Sequence, residues 1–182
     1  MAIAVERRTR TVRPVEAQAP DMPDWGAAGW AGLLAGAVFM AVELLGAAIT
    51  GASWMPSRLI AAVVLGDRIL EPRPEYNAII NGSALMVHAT LSLFYARLMA
   101  LIFYRQKLYF AVEEGVVFGA CLYLLNFYVL PILFPFVADG RGIWTFLSHL
   151  AYGACVPLFY RRFTSSRQAL PASATWRRRT WP

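Results

Sequence analysis

Four long stretches of the chain are apolar on every face and are separated by short charged or proline-rich breaks. From Trp25 to Thr50 the only charge is Glu43. Residues 77–104, 109–131 and 142–160 repeat the pattern, with Arg97 near the end of the second stretch and Glu113 and Glu114 at the entry to the third. At 1.5 Å per residue, about 20 residues cross the roughly 30 Å hydrocarbon layer of a bilayer. The pattern therefore predicts an all-α integral membrane four-helix bundle with spans at about 25–50, 77–104, 109–131 and 142–160, flanked by tails at 1–24 and 161–182. A fifth apolar run, residues 59–65 within PSRLIAAVVLG, is too short to cross. It predicts a short interfacial helix between spans one and two. EPRPEY, with Pro72 and Pro74, reads as a stiff turn back to the bilayer, and LPILFP, with Pro131 and Pro135, does similar work after span three.

Composition agrees with this pattern: 58% of the residues are hydrophobic and only 15% are charged, far from the balance of a soluble domain. The formal charge of +6 is unevenly placed, because residues 161–182 hold six Arg and no acid while the rest of the chain is neutral. Interleaved with Trp176 and Trp181, that basic tail suits anionic lipid headgroups rather than nucleic acid. Residues 1–24 mix four Arg, four acids and three Pro and read as a disordered tail. The apolar segment after them is too long for a signal peptide and lacks an A-x-A-type cleavage site, so it reads as the first anchor. Of the 17 Lys and Arg, 13 fall in the two tails and the 97–114 connection. The positive-inside rule then puts both termini in the cytoplasm. Trp25, Trp54 and Trp144 fall at span ends, where amphipathic rings prefer the interface.

The spans also echo one another. Gly32, Gly36 and Ala37 are followed by Glu43, and Gly115, Gly119 and Ala120 are followed by Asn126, at a constant offset of 83. In spans two and four, His88 precedes Ser92 and His149 precedes Gly153, at an offset of 61. A duplicated two-helix hairpin would produce both coincidences, with parallel repeats related by an axis along the membrane normal. Gly32, Gly36, Gly115, Gly119 and Gly153 are expected to pack helices closely, against one another or against a second copy or a larger membrane complex.

Four groups would be costly facing lipid: Glu43, His88, Asn126 and His149. They form a candidate intramembrane polar cluster, with His88 expected to take a hydrogen bond from Asn126, Thr90, Ser92 or a water. One function consistent with the cluster is a proton or small-solute pathway around Glu43, His88 and His149. Another is a b-type haem held between His88 and His149, one imidazole from each of two helices. A third is a non-enzymatic accessory or structural subunit with no cofactor, in which the polar groups simply bond across helices. Arg97, Arg105 and Lys107 near Glu113 and Glu114 read as an ion-paired collar at the cytoplasmic ends. Cys121 and Cys155 lie in apolar runs and read as packing residues. There is no nucleophile elbow, phosphate-binding glycine loop or zinc spacing, so neither catalytic residues nor a metal site are expected.

The motifs SWMPSRLIAAVVLG, LMVHATLSLFYARLMALI and LNFYVLPILFPFVADGRGIWTFLSHLAYG resemble those of small four-span bacterial inner-membrane proteins of unknown function. Some of that group carry an automatic sodium:proline symporter name. The resemblance covers roughly residues 25–160 and implies a fold and a bacterial inner-membrane location, with no catalytic residues to carry over. The symporter name does not transfer, because such transporters surround a midplane site with repeated sets of broken helices that four spans cannot supply.

Overall fold

The computed structural model of the protein describes residues 22–51, 55–71 and 76–168, with side chains described as far as residue 165. The expected tails at 1–24 and 161–182, Trp54, and the prolines of EPRPEY lie wholly or mostly outside those residues. Among the described residues the chain is helical throughout: α1 (Trp25–Thr50), α2 (Met55–Leu65), α3 (Ala78–Phe103), α4 (Leu108–Leu124) and α5 (Ile143–Gln168). A π-turn, Leu125–Val129, and a short 3-10 turn extend α4, and Pro135–Gly140 forms a further 3-10 segment before α5. Four segments are long and apolar enough to cross a bilayer: Trp25–Thr50, Ala78–Phe103, Leu108–Ile132 and Ile143–Ser165. The protein is a multi-pass α-helical membrane protein. In hydrocarbon no water can satisfy backbone N–H and C=O groups, which is why such segments become helices.

Local signals set the ends. Asp24 caps α1, its carboxylate accepting from the Ala27 N–H at 2.9 Å, and Gly51 ends the helix in the left-handed region at φ 72°. Asn77 caps α3 by accepting from the Ile79 and Ile80 N–H groups. The first three spans match their expected bounds closely. The fourth does not stop at residue 160: α5 runs to Gln168, so Arg161 and Arg162 lie on the helix rather than in a tail. The short helix also forms where the 59–65 run predicts one, and its Ala61 packs with Ile80 and Ala84 of α3.

The helices pack in the spatial order α3, α1, α5, α4, with α1 and α5 at the centre and α2 covering one end of α3. A run of fully buried alanines, Ala27, Ala28, Ala31 and Ala35, lets α1 lie close to its neighbours. The core continues through Ala96, Met99, Phe103, Tyr152 and Val156. Within each hairpin the contacts are equivalent. Gly32 faces Ser92 and Gly36 faces Ser92 and His88, while Gly115 faces Gly153 and Gly119 faces His149. These are the positions paired by the offsets of 83 and 61, so the sequence echo corresponds to one packing scheme used twice. The expected two-fold between the hairpins is absent. α1 packs along α5, whereas the corresponding pair α3 and α4 touches only marginally. Gly46 explains part of this, since it opens a notch filled by Trp144, and its counterpart at the offset of 83 is Val129.

Two prolines shape the second hairpin. Pro157 lies inside α5 and has no N–H to give the Gly153 carbonyl four residues back. That carbonyl lies against Gly115, and the Gly115 carbonyl lies against Gly153 in return. Close carbonyl contact with glycine Cα–H groups is a recurring device at helix interfaces. Pro131 likewise cannot serve the Phe127 carbonyl, and Arg141 Nε donates to it instead at 2.8 Å. The Arg141 guanidinium also lies 4.5 Å over the Tyr128 ring.

At the opposite end of the bundle, the expected ion-paired collar takes a different form. Glu114 is held by Gln106, whose Nε2 donates to both carboxylate oxygens at 2.7 and 2.8 Å. Arg105 lies 5.1 Å over the Tyr104 ring.

A methyl group at Gly115 or Gly153 would collide with the partner's backbone. Gly153→Ala is accordingly expected to destabilise the bundle by about 1–3 kcal/mol, the usual cost of overpacking. Gly82, which has open space around it in α3, should tolerate alanine and gain about 0.5–1 kcal/mol of helix propensity. Thermal melts of the two variants in one detergent check both, and equal melting would refute the contact.

Candidate functional site

The four polar residues singled out in the sequence come together at the α2 end of the bundle, around a cavity of about 460 Å³. α1 contributes Glu43, α3 His88, the π-turn Asn126 and α5 His149, and all four line it. Most of the remaining wall is apolar or aromatic, including Phe39, Leu59, Ile60, Phe127 and Trp144. Asp139 and Arg141 also line the cavity and are both solvent-exposed. Cavities of this size with a few convergent polar groups are the usual form of a small-molecule site.

Glu43 is only 6% exposed. Its Oε1 lies 2.9 Å from Ser148 Oγ, which is itself 2.8 Å from the Thr145 carbonyl oxygen one turn earlier. His149 donates from Nδ1 to the same Thr145 carbonyl at 2.7 Å. With the proton on Nδ1, the lone pair on Nε2 is free to accept from Asn126 Nδ2 at 3.2 Å. The π-turn aims Asn126: its extra residue per turn displaces the side chains after Leu124 relative to those of a regular helix.

His88 finds a partner the sequence did not suggest. Rather than Asn126, Thr90 or Ser92, its Nε2 N–H meets the Gly36 carbonyl oxygen at 2.9 Å. Thr90 returns its hydroxyl to the Met86 carbonyl, and the Ser92 carbonyl takes the Tyr152 hydroxyl at 2.7 Å. The two histidines therefore carry their protons on different nitrogens, Nε2 in His88 and Nδ1 in His149.

Phe39 stands between them, its ring centroid 4.9 Å from that of His88 and 4.8 Å from that of His149. Tyr123 and Phe127 complete an aromatic collar around His149, each at 5.7 Å. This arrangement does not fit a bis-imidazole haem. Such a haem needs an uncommitted nitrogen from each ring on opposite faces of a porphyrin, whereas here the gap holds Phe39 and both His149 nitrogens are engaged.

Several site residues were not identified from the sequence. Thr145 sits three residues before Ser148 and four before His149 on α5, so its side of the helix meets both, a polar triplet that in retrospect is a signal. Phe39 gave none, since an aromatic residue in an apolar span is ordinary. The predicted packing glycines are all engaged within the bundle: Gly32 and Gly36 against α3, Gly115 and Gly119 against α5, and Gly153 against α4.

Fold and site together define a multi-pass helical membrane protein with a polar-ended cavity built into one end of its bundle. Comparison with family models, with curated proteins and with solved structures gives no match.

The histidine tautomers are directly measurable, because the chain has only two histidines. Nitrogen-15 NMR of histidine-labelled protein should give one Nε2–H and one Nδ1–H ring at neutral pH. Replacing Asn126 by Leu should perturb only the His149 signal and cost about 0.6–1.7 kcal/mol, the range for hydrogen bonds within membranes. Two identical tautomers would contradict the assignment.

Proposed function

We propose that this chain is a non-enzymatic binding protein of the bacterial cytoplasmic membrane, with both termini in the cytoplasm. Its cavity, at the outer end of the bundle, holds a small, largely apolar molecule by a polar group. The cavity itself carries this proposal. It is a half-open cleft of about 460 Å³ in which Glu43, His88, Asn126 and His149 converge within an otherwise largely apolar wall, the usual form of a small-molecule site.

The alternative of an accessory or structural subunit drew on the glycine faces as docking surfaces. Those faces are engaged inside the bundle, so the cavity favours ligand binding. A proton or solute pathway around Glu43, His88 and His149 uses the same groups and would be a further activity of the same site. The orientation rests on the distribution of Lys and Arg, which places the cavity on the outer side.

Trp144 lines the cavity and can report on it. In a variant whose other tryptophans are replaced by Phe, a small neutral brominated aromatic should quench Trp144 fluorescence saturably. Ile60→Phe combined with Val63→Phe, both facing the cavity, should abolish the saturable part. Quenching that only tracks partition into the detergent would count against a binding site. In spheroplasts, single cysteines at positions 10 and 175 should resist a membrane-impermeant maleimide while one at position 67 reacts.

A further inference from the structure

We infer that the cavity takes a lipophilic monovalent cation, which exchanges with a proton held on Glu43; this rests on the cavity being a binding site. The inference begins with an account of hydrogen bonds. Three of the donors around the cavity are already used: His88 Nε2–H on the Gly36 carbonyl, His149 Nδ1–H on the Thr145 carbonyl, and one Asn126 amide hydrogen on His149 Nε2. What remains for a ligand includes the second Asn126 amide hydrogen and the Trp144 indole N–H as donors and, as acceptors, the buried Glu43 carboxyl, Asn126 Oδ1 and His88 Nδ1. A cationic or N–H-rich group finds acceptors, together with the rings of Phe39, Phe127 and Trp144 in the same wall.

Glu43 is the only acid among the buried groups of that wall. The charged and titratable groups facing the cavity are Glu43 from α1, His88 from α3, His149 from α5, and Asp139 and Arg141 from the segment before α5. Asp139 and Arg141 are exposed and of opposite sign, and Arg141 is turned to the Phe127 carbonyl and the Tyr128 ring. Arg58 of α2, the buried positive side chain among the described residues, is not part of the wall and donates to the Ile69 carbonyl.

The Ser148 geometry indicates what balances the carboxyl when no ligand is bound. Ser148 has one hydroxyl proton and two acceptors in range, Glu43 Oε1 at 2.9 Å and the Thr145 carbonyl at 2.8 Å. The Ser148 hydroxyl can serve a charged Glu43, with the Thr145 side chain beside it, or turn to the Thr145 carbonyl while a protonated Glu43 donates to Ser148 Oγ, so the site accommodates both protonation states. The exchange is then balanced: the cation enters, Glu43 gives up its proton, Ser148 turns its hydroxyl to the carboxylate, and the net charge of the cavity is unchanged. Bringing a cation into such a poorly solvated site without that compensation would be costly.

The test compares three probes of similar shape on purified full-length protein: tetraphenylphosphonium, tetraphenylborate and neutral triphenylphosphine oxide. Calorimetry in buffers of different ionisation enthalpy reads affinity and proton release together. The expected result is preferential binding of the phosphonium, affinity rising about tenfold per pH unit while Glu43 is protonated, and release of a single proton on binding. Glu43→Gln should remove the pH dependence, whereas Glu113→Gln, on the exposed surface of α4, should not. Equal, pH-independent binding of phosphonium and oxide, or preference for the borate, overturns the cation inference and leaves the cavity as a neutral or anionic site. Binding of none of the three overturns the cavity proposal as well. If Glu43→Gln does not fold, the pH dependence and proton release of the unaltered protein decide the matter.

Discussion

In hydrocarbon, a helix gains nothing hydrophobic by leaving lipid for another helix, so the bundle has to be held by contacts that lipid cannot match. Here that contact is backbone on backbone. The Gly115 and Gly153 carbonyls each lie against the other glycine's Cα, Gly119 meets the His149 carbonyl, and Gly32 meets the Ser92 carbonyl. Everything else in the molecule is arranged around how closely these pairs approach. The alanines of α1 extend the same condition along the α1 and α5 interface, and the largest side chains of the core, Phe103 and Met99, fill the end away from the cavity.

The cavity follows from the departure from that close packing. At the α2 end, the π-turn and the proline-rich segment replace regular helix, and Trp144 enters the notch at Gly46. The polar groups that line the space are each tied to the scaffold by a bond to a neighbouring helix or to the preceding turn of their own. Phe39 keeps the two imidazoles apart, so each side of the cavity presents its own hydrogen-bonding pattern. A polar set fixed in this way is preorganised, and a ligand need not order it on binding.

The spans, the short surface helix and the four polar residues were all legible in the sequence, because apolar length and the cost of burying charge leave few choices in a membrane. The two offsets pointed to equivalent positions in the two hairpins, but not to which residue each glycine meets; the contacts of Gly32 with Ser92 and of Gly115 with Gly153 came from the structure. The asymmetry between the hairpins could not be anticipated, since it turns on which neighbour fills the notch at Gly46. His88 bonding to the Gly36 carbonyl was hidden for a similar reason: a sequence displays side-chain partners, whereas the partner here is a backbone oxygen. That the α5 helix continues past residue 160 was not legible, because arginine favours helix as readily as it ends a hydrophobic span.

Pro157, Gly153 and Gly115 act as one unit. Restoring an N–H at position 157 would draw the Gly153 carbonyl back into its own helix, and any side chain at 115 or 153 would push the helices apart whether or not that had happened. The effects of changing these three positions are thus not additive. A change at any one of the three has to be matched at the others, although none of them lines the cavity.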